Sequence, residues 1–135
     1  MTPEFARDFL RENHRAVLAT FRSDGRPHLA PVSAGVDGEG RVIISTPETT
    51  AKARNLRRDP RISLCVMNDR FYGAWVQVEG TAEIVDRPEA VELLVDYYRR
   101  LAGEHPDWDD YRRAMNKDRR VLVRFEIERV SGVTG

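Results

Sequence analysis

The stretch AVLATFRSDGRPHLAPVSAGVDGEGRVIIS, residues 16–45, decides the fold. Its three apolar segments are Ala16–Phe21, Pro27–Asp37 and Arg41–Ser45, and Ser-Asp-Gly and Asp-Gly-Glu-Gly separate them. Both separators are strong signals for tight turns. Tight turns join neighbouring antiparallel strands, whereas parallel strands need long crossover connections. The stretch therefore predicts three antiparallel strands in sequence.

Three more strands are predicted after this stretch. They cover Arg61–Met67, Ala74–Val85 and Arg119–Val130, and in the last of them apolar and polar residues alternate. Helices are expected over Thr2–Glu12, after Thr46–Thr50 through Arg57, from Asp86–Pro88 to Leu101, and over Asp107–Met115. Six strands exceed what one small open sheet can cover. We therefore predict an α+β fold on a closed or nearly closed antiparallel barrel.

Composition excludes several classes of protein. The 135 residues have the length of one domain. Because 22 basic residues balance 22 acidic ones, net charge gives no argument for a nucleic-acid or membrane partner, and we expect neither. The single cysteine, Cys65, cannot form an intramolecular disulfide. No apolar run approaches the ~20 residues of a membrane span, and the charged segment Met1–Leu10 is unlike a signal peptide. We expect one cytoplasmic globular domain over residues 1–135.

Lys52 stands in the first turn of a predicted helix, where the helix dipole favours anions and disfavours cations. A bound anion between the ammonium and the helix end would explain this position. Hydrogen-bond donors surround it in the sequence: Ser45, Thr46, Thr49, Thr50 and Arg54. The alternative is a surface ion pair between Glu48 and Lys52, four residues apart. Spacing alone leaves both interpretations open.

The second predicted strand is unusual over Ala30–Gly35, because small residues and a proline form strands poorly. Such a stretch suits a flat ligand lying against the main chain, but it also suits an ordinary edge strand. Trp75, at the start of a later strand, could wall a ring-binding pocket or simply pack in a core or dimer contact.

Other chemistry is weakly indicated. His14, His28 and His105 lack metal-ligand spacing, so no metal site is predicted. Cys65 lies within an apolar strand and is interpreted as a packed hydrophobic residue. We assign no catalytic side chain, and any reactive group is expected to belong to a cofactor.

Several segments resemble the pyridoxamine-phosphate-oxidase-like flavoproteins: Ala16–Thr20, Asp24–His28, Pro31–Val32 and Val78–Ala82. TAKARNLRRDPR, residues 50–61, is similar to the signature of one branch of that family. That branch comprises the coenzyme F-420-dependent flavin/deazaflavin oxidoreductases of actinobacteria.

The resemblance implies a six-stranded split β-barrel with flanking helices, and a homodimer whose two cofactor sites are built by both subunits. It implies that a cofactor phosphate meets Lys52, that the tricyclic ring lies along the second strand, and that Trp75 and Val76 come from the partner chain. The implied cofactor-binding residues are Pro31, Val32, Ser33, Ala34, Ser45, Thr46, Thr50, Ala51, Lys52, Trp75 and Val76.

The resulting hypothesis is an oxidoreductase that transfers a hydride from coenzyme F-420 to a conjugated small molecule. Two alternatives stay open. One is an FMN-dependent oxidoreductase of the same fold, and the other is a non-catalytic protein that binds the cofactor or a tetrapyrrole.

Overall fold

The computed structural model describes residues 1–134, which form four helices and eight strands. The helices are α1 (Pro3–Glu12), α2 (Ala51–Arg58), α3 (Glu89–Ala102) and α4 (Trp108–Lys117). The strands are β1 (Arg15–Phe21), β2 (Pro27–Val36), β3 (Val42–Pro47), β4 (Arg61–Met67), β5 (Trp75–Thr81), β6 (Glu83–Val85), β7 (Arg120–Phe125) and β8 (Arg129–Val133). Within residues 1–134, no helix combines the length and apolar character needed to cross a membrane.

The strands form one antiparallel sheet in the order β6-β7-β3-β2-β1-β4-β5-β8. Only Ala82 separates β5 from β6, and β7 runs into β8 across residues 126–128. The strands at one end of the sheet are therefore chain continuations of strands at the other end, so the sheet curls into a barrel. β2 belongs to both halves, because residues 27–33 pair with β1 and residues 34–36 pair with β3.

The α+β antiparallel split barrel is confirmed, but the predicted count of six strands is wrong. The segment predicted as Ala74–Val85 breaks at Ala82, and the segment predicted as Arg119–Val130 breaks at residues 126–128. Main-chain hydrogen bonds hold both breaks close to the neighbouring strands: the Ala82 N–H donates to the Pro60 carbonyl at 2.7 Å, and the Glu128 N–H donates to the Glu79 carbonyl at 2.8 Å. The apolar pattern continues through both breaks, which hides them in the sequence.

The core lies in two layers. Alternate side chains of the strands fill the barrel interior, among them Leu18, Leu64 and Phe125, and α1 adds Leu10 to the same cluster. A second cluster lies outside the barrel, where Leu94 of α3 packs with Ile43, Tyr111 and Leu122. This outer layer places α3 beside the place where the pairing between β2 and β3 ends, at Ala34 and Ile44.

Candidate functional site

The N-terminus of α2 is built by two threonines. The Thr50 hydroxyl oxygen accepts the Ala53 N–H at 3.3 Å, lies 2.8 Å from the Thr46 hydroxyl oxygen, and donates to the Pro47 carbonyl at 3.0 Å. Thr46 is buried. Within residues 1–134, no acceptor pairs with the main-chain N–H groups of Ala51 and Lys52. The helix therefore starts with two free donors, as an anion site requires.

Lys52 is half-buried, and it forms no ion pair with any side chain of the described residues. Glu48, its alternative partner, instead accepts a hydrogen bond from Arg87 at 2.9 Å and another from Arg119. The surface pairing of Glu48 with Lys52 is therefore wrong, and the ammonium is left available for a ligand.

Arg120 joins this group, although no local sequence pattern indicates it. Its guanidinium donates to the Ser45 hydroxyl at 3.1 Å, because β7 pairs with β3 in a register that places Arg120 opposite Pro47. Its Nε is buried and has no hydrogen-bond partner in residues 1–134; an oxygen of Asp118 lies 3.5 Å away. Ser45, Lys52, Arg120 and the free N–H groups of α2 are called the anion cluster below.

The anion cluster carries an electrostatic cost without a ligand. Burial lowers the pKa of Lys52, and the positive charge of Arg120 lowers it further. Two neighbouring cations beside a helix N-terminus repel one another and the dipole. A bound phosphate or carboxylate would relieve both repulsions, so these residues fit a phosphorylated ligand.

The turn before Arg120 is held in an unusual conformation. Arg119 has a φ of 54°, in the left-handed region that non-glycine residues seldom adopt. Glu48 supports it twice, because its carboxylate accepts from the Arg119 side chain and its N–H donates to the Arg119 carbonyl at 2.8 Å. These contacts fix the main chain from which Arg120 reaches Ser45.

The second predicted part of the site lies on β2. Pro31 and Ser33 are exposed, Val32 is half-buried and Ala34 is buried. The exposed face is the floor of an open depression of about 500 Å³, which we call the ring groove. It is lined by Arg15, Ala16, Val17, Pro31, Val32, Ser33 and Met67. Small and apolar side chains on a strand give the flat floor that a ring system needs.

Ala34 marks the end of this floor. Its N–H donates to the His14 carbonyl at 2.9 Å, and its own carbonyl lies 2.8 Å from Nδ1 of His14, which must donate to it. With its methyl group in the core, Ala34 anchors the strand beside the groove.

Within one chain, Trp75 and Val76 lie apart from the other residues predicted to bind the cofactor. They lie on β5, three strand spacings from β2, a separation of roughly 14 Å. The Val76 side chain is fully buried in the barrel, so any contact from this residue would use its main chain. Trp75 is half-buried at the start of β5.

We expect ligand affinity at the anion cluster to fall as the pH rises. The ammonium of Lys52 must be protonated to bind an anion, and its pKa lies below the ordinary 10.5. The Kd of inorganic phosphate should therefore be constant near pH 8 and increase before pH 10.5, a range in which the phosphate charge is constant. Isothermal titration across this range measures the change.

Two variants check the assignment of this pH dependence. Lys52→Ala should abolish it, and Arg120→Gln should move the increase in Kd to higher pH, because the neighbouring charge that lowers the Lys52 pKa is gone. A wild-type Kd that stays constant up to pH 10.5 would show that Lys52 does not bind the anion.

Comparison with known proteins places this geometry in a family. A sequence model described as pyridoxamine 5'-phosphate oxidase matches residues 2–134. A biliverdin reductase of Mycobacterium tuberculosis that depends on reduced coenzyme F-420 is 31% identical over 125 residues, which cover 92% of this chain and 82% of that protein.

Solved structures give the same result for the fold. The conserved hypothetical protein Rv2991 of Mycobacterium tuberculosis superposes with a TM-score of 0.80 at 32% identity, covering 99% of this chain and 85% of the other. An F-420 reductase superposes with a TM-score of 0.71 at 23% identity, covering 92% and 94% of the two chains. With a matching sequence over nearly its whole length and the same barrel, this chain belongs to the pyridoxamine 5'-phosphate oxidase family.

Proposed function

We propose that the protein is a reductase that uses reduced coenzyme F-420, a phosphorylated deazaflavin, to transfer a hydride to a conjugated small molecule. One observation carries the proposal: Lys52, which has no ion-pair partner in the described residues, lies with Arg120 and free N–H donors beside an open groove of about 500 Å³. The similarity to the F-420-dependent biliverdin reductase supports this choice of cofactor and acceptor class.

In this proposal the cofactor supplies the hydride, and the protein supplies binding, orientation and exclusion of water. Lys52, Arg120 and Ser45 would hold the phosphate, together with the free N–H groups of Ala51 and Lys52. Thr46 and Thr50 would act by shaping the helix start. Pro31, Val32 and Ser33 would cover one face of the ring, with Ala34 anchoring their strand. No side chain is assigned as an obligatory acid or base.

We also propose that the functional unit is a homodimer. The outer face of β2, β1, β4 and β5 carries Leu29, which is 64% exposed, together with Val17, Met67 and Trp75, which are half-buried. A second copy of the chain that covers this face would bring its Trp75 and the main chain of its Val76 towards the ring groove. The groove would then be closed on a side that one chain leaves open.

The cofactor choice is tested by titrating the purified protein with coenzyme F-420 and, separately, with FMN. We expect a Kd for coenzyme F-420 in the micromolar range or below, about −8 kcal/mol or better. We also expect the reduced cofactor to be oxidised by at least one member of a panel of biliverdin, enones and quinones. Absorbance of the deazaflavin reports this reaction.

The alternatives predict different results in the same experiment. Micromolar binding of FMN with no binding of coenzyme F-420 would overturn the cofactor choice and support the FMN-dependent oxidoreductase, which the family match also favours. Binding of coenzyme F-420 without oxidation by any acceptor in the panel would support a non-catalytic binding protein.

A further inference from the structure

The ladder between β2 and β3 ends abruptly beside the candidate site. Ala34 pairs with Ile44, so the next rung of the ladder would join Ser33 to Ser45. That rung is absent: the pairing of β2 with β3 stops at Ala34 and Ile44, while on its opposite edge Ser33 still pairs with Arg15 of β1. Ser33 belongs to the ring groove and Ser45 to the anion cluster, so the two halves of the site face each other across this break.

The Tyr97 hydroxyl occupies the position of the absent rung. It donates to the Ser33 carbonyl at 2.8 Å, which satisfies a main-chain acceptor that β3 would otherwise pair. Burial raises the pKa of the Tyr97 hydroxyl, and the smaller opposing effects of the Arg120 charge and the Ser45 main chain do not cancel this rise. The hydroxyl therefore remains a protonated donor at neutral pH.

The helix that carries Tyr97 holds it firmly. Leu94 and Val95, one turn and half a turn earlier on α3, are buried against β3 and β7. On the other side of the break, Arg120 donates to the Ser45 hydroxyl at 3.1 Å. Tyr97 on α3 thus holds the β2 side of the break, and Arg120 on β7 holds the β3 side. Because α3 packs against β7, the two sides are connected.

We propose that Tyr97 is a positioning residue that sets the distance between the ring groove and the anion cluster. This inference rests on the proposed function, since it concerns the binding of one molecule to both halves of the site. A ligand whose ring and phosphate are joined gains affinity from both contacts only if the spacing of the two subsites matches its length. Without the Tyr97 hydroxyl, the Ser33 carbonyl loses its hydrogen bond on the β3 side, so the stretch of β2 before Ala34 can shift relative to Ser45.

The test compares a whole cofactor with its parts. For Tyr97→Phe, we expect the Kd of coenzyme F-420 to increase by about 5- to 20-fold, the effect of losing one well-placed hydrogen bond in a linked site. The Kd of the phosphate-free ribityl deazaflavin and the Kd of inorganic phosphate should each change by less than about twofold, because each probe occupies one subsite.

Tyr111→Phe is the matched control. The Tyr111 hydroxyl also donates to a main-chain carbonyl, that of Leu94 at 2.9 Å, but both groups lie within the helical layer. The two variants should lose similar thermal stability, while only Tyr97→Phe should weaken the binding of coenzyme F-420.

The outcomes separate this inference from the proposed function. Equal effects of the two variants on coenzyme F-420 would overturn the positioning role, as would a phosphate or deazaflavin Kd that rises as much as that of the whole cofactor. If Tyr97→Phe binds coenzyme F-420 with the wild-type Kd, the positioning role is also overturned, while the proposed function stays intact. If the wild-type protein binds no coenzyme F-420, both proposals fall.

Discussion

Replacing Lys52 by alanine is expected to weaken the binding of coenzyme F-420 by about 10- to 150-fold. This corresponds to a loss of about 1.5–3 kcal/mol, the usual contribution of a hydrogen bond to a charged group. Lys52 is half-buried beside Arg120 at a helix N-terminus, and no carboxylate in the described residues neutralises it. A ligand phosphate would therefore be its principal partner. Fluorescence or calorimetric titration of wild type and variant measures the ratio of the two Kd values.

The same variant should leave the unliganded protein as stable as the wild type, or more so. Alanine favours a helix, and the change removes a cation from the first turn, where it opposes the dipole by up to about 1 kcal/mol. A residue that costs stability without its ligand but is needed for binding is typical of a functional site. Thermal unfolding of the apoprotein checks this expectation.

Lys117 is the matched control, because it is the other lysine of the chain and is exposed near the end of α4. Lys117→Ala should leave the Kd unchanged and should lower the melting temperature only slightly, since a cation in the last turn of α4 suits the helix dipole. If Lys52→Ala behaves in the same way as Lys117→Ala in the titration, Lys52 is not part of the cofactor site.

The sequence predicted those parts of the molecule that depend on local signals. The first three strands lie within one or two residues of the predicted bounds, and the turns between them contain Gly25 at φ 85° and Gly40 at φ 82°. Thr50 caps α2 and places Lys52 in its first turn, as the pattern indicated. Each of these features is decided by residues close together in the chain, so the pattern alone suffices.

Arg120 and Tyr97 could not be predicted in the same way. Arg120 reaches Ser45 across 75 positions of sequence, and Tyr97 reaches Ser33 across 64. Neither contact has a local signal: the first depends on the register between β3 and β7, and the second depends on how α3 packs over the barrel. The visible hint was the pair Arg119–Arg120, two cations directly before the apolar run Val121–Val123.

The strand breaks were hidden for a related reason. A strand that crosses from one half of a barrel to the other keeps the alternation of apolar and polar residues, so the pattern does not show where its partner changes. The structure shows the feature that the pattern hides, which is the close approach of two chain segments where a strand crosses between the halves of the barrel. Gly80, near the end of β5, is the clearest case, because the main chain of residues 126–128 lies directly against it.

Gly80→Ala should therefore destabilise the protein by about 2–3 kcal/mol, or lower the melting temperature by about 6–15 °C. A methyl group at this position would lie 2.4 Å from the Glu126 carbonyl oxygen and 2.7 Å from the Phe125 ring, and the carbonyl belongs to main chain that cannot simply rotate away. Gly38→Ala is the control, since its methyl group would meet only the end of the Arg100 side chain, at 3.2 Å, and should change stability by less than about 0.5 kcal/mol. Thermal and urea unfolding of both variants measure the difference. Equal stability of Gly80→Ala and wild type would mean that the barrel does not close through this contact between β5 and the segment joining β7 to β8.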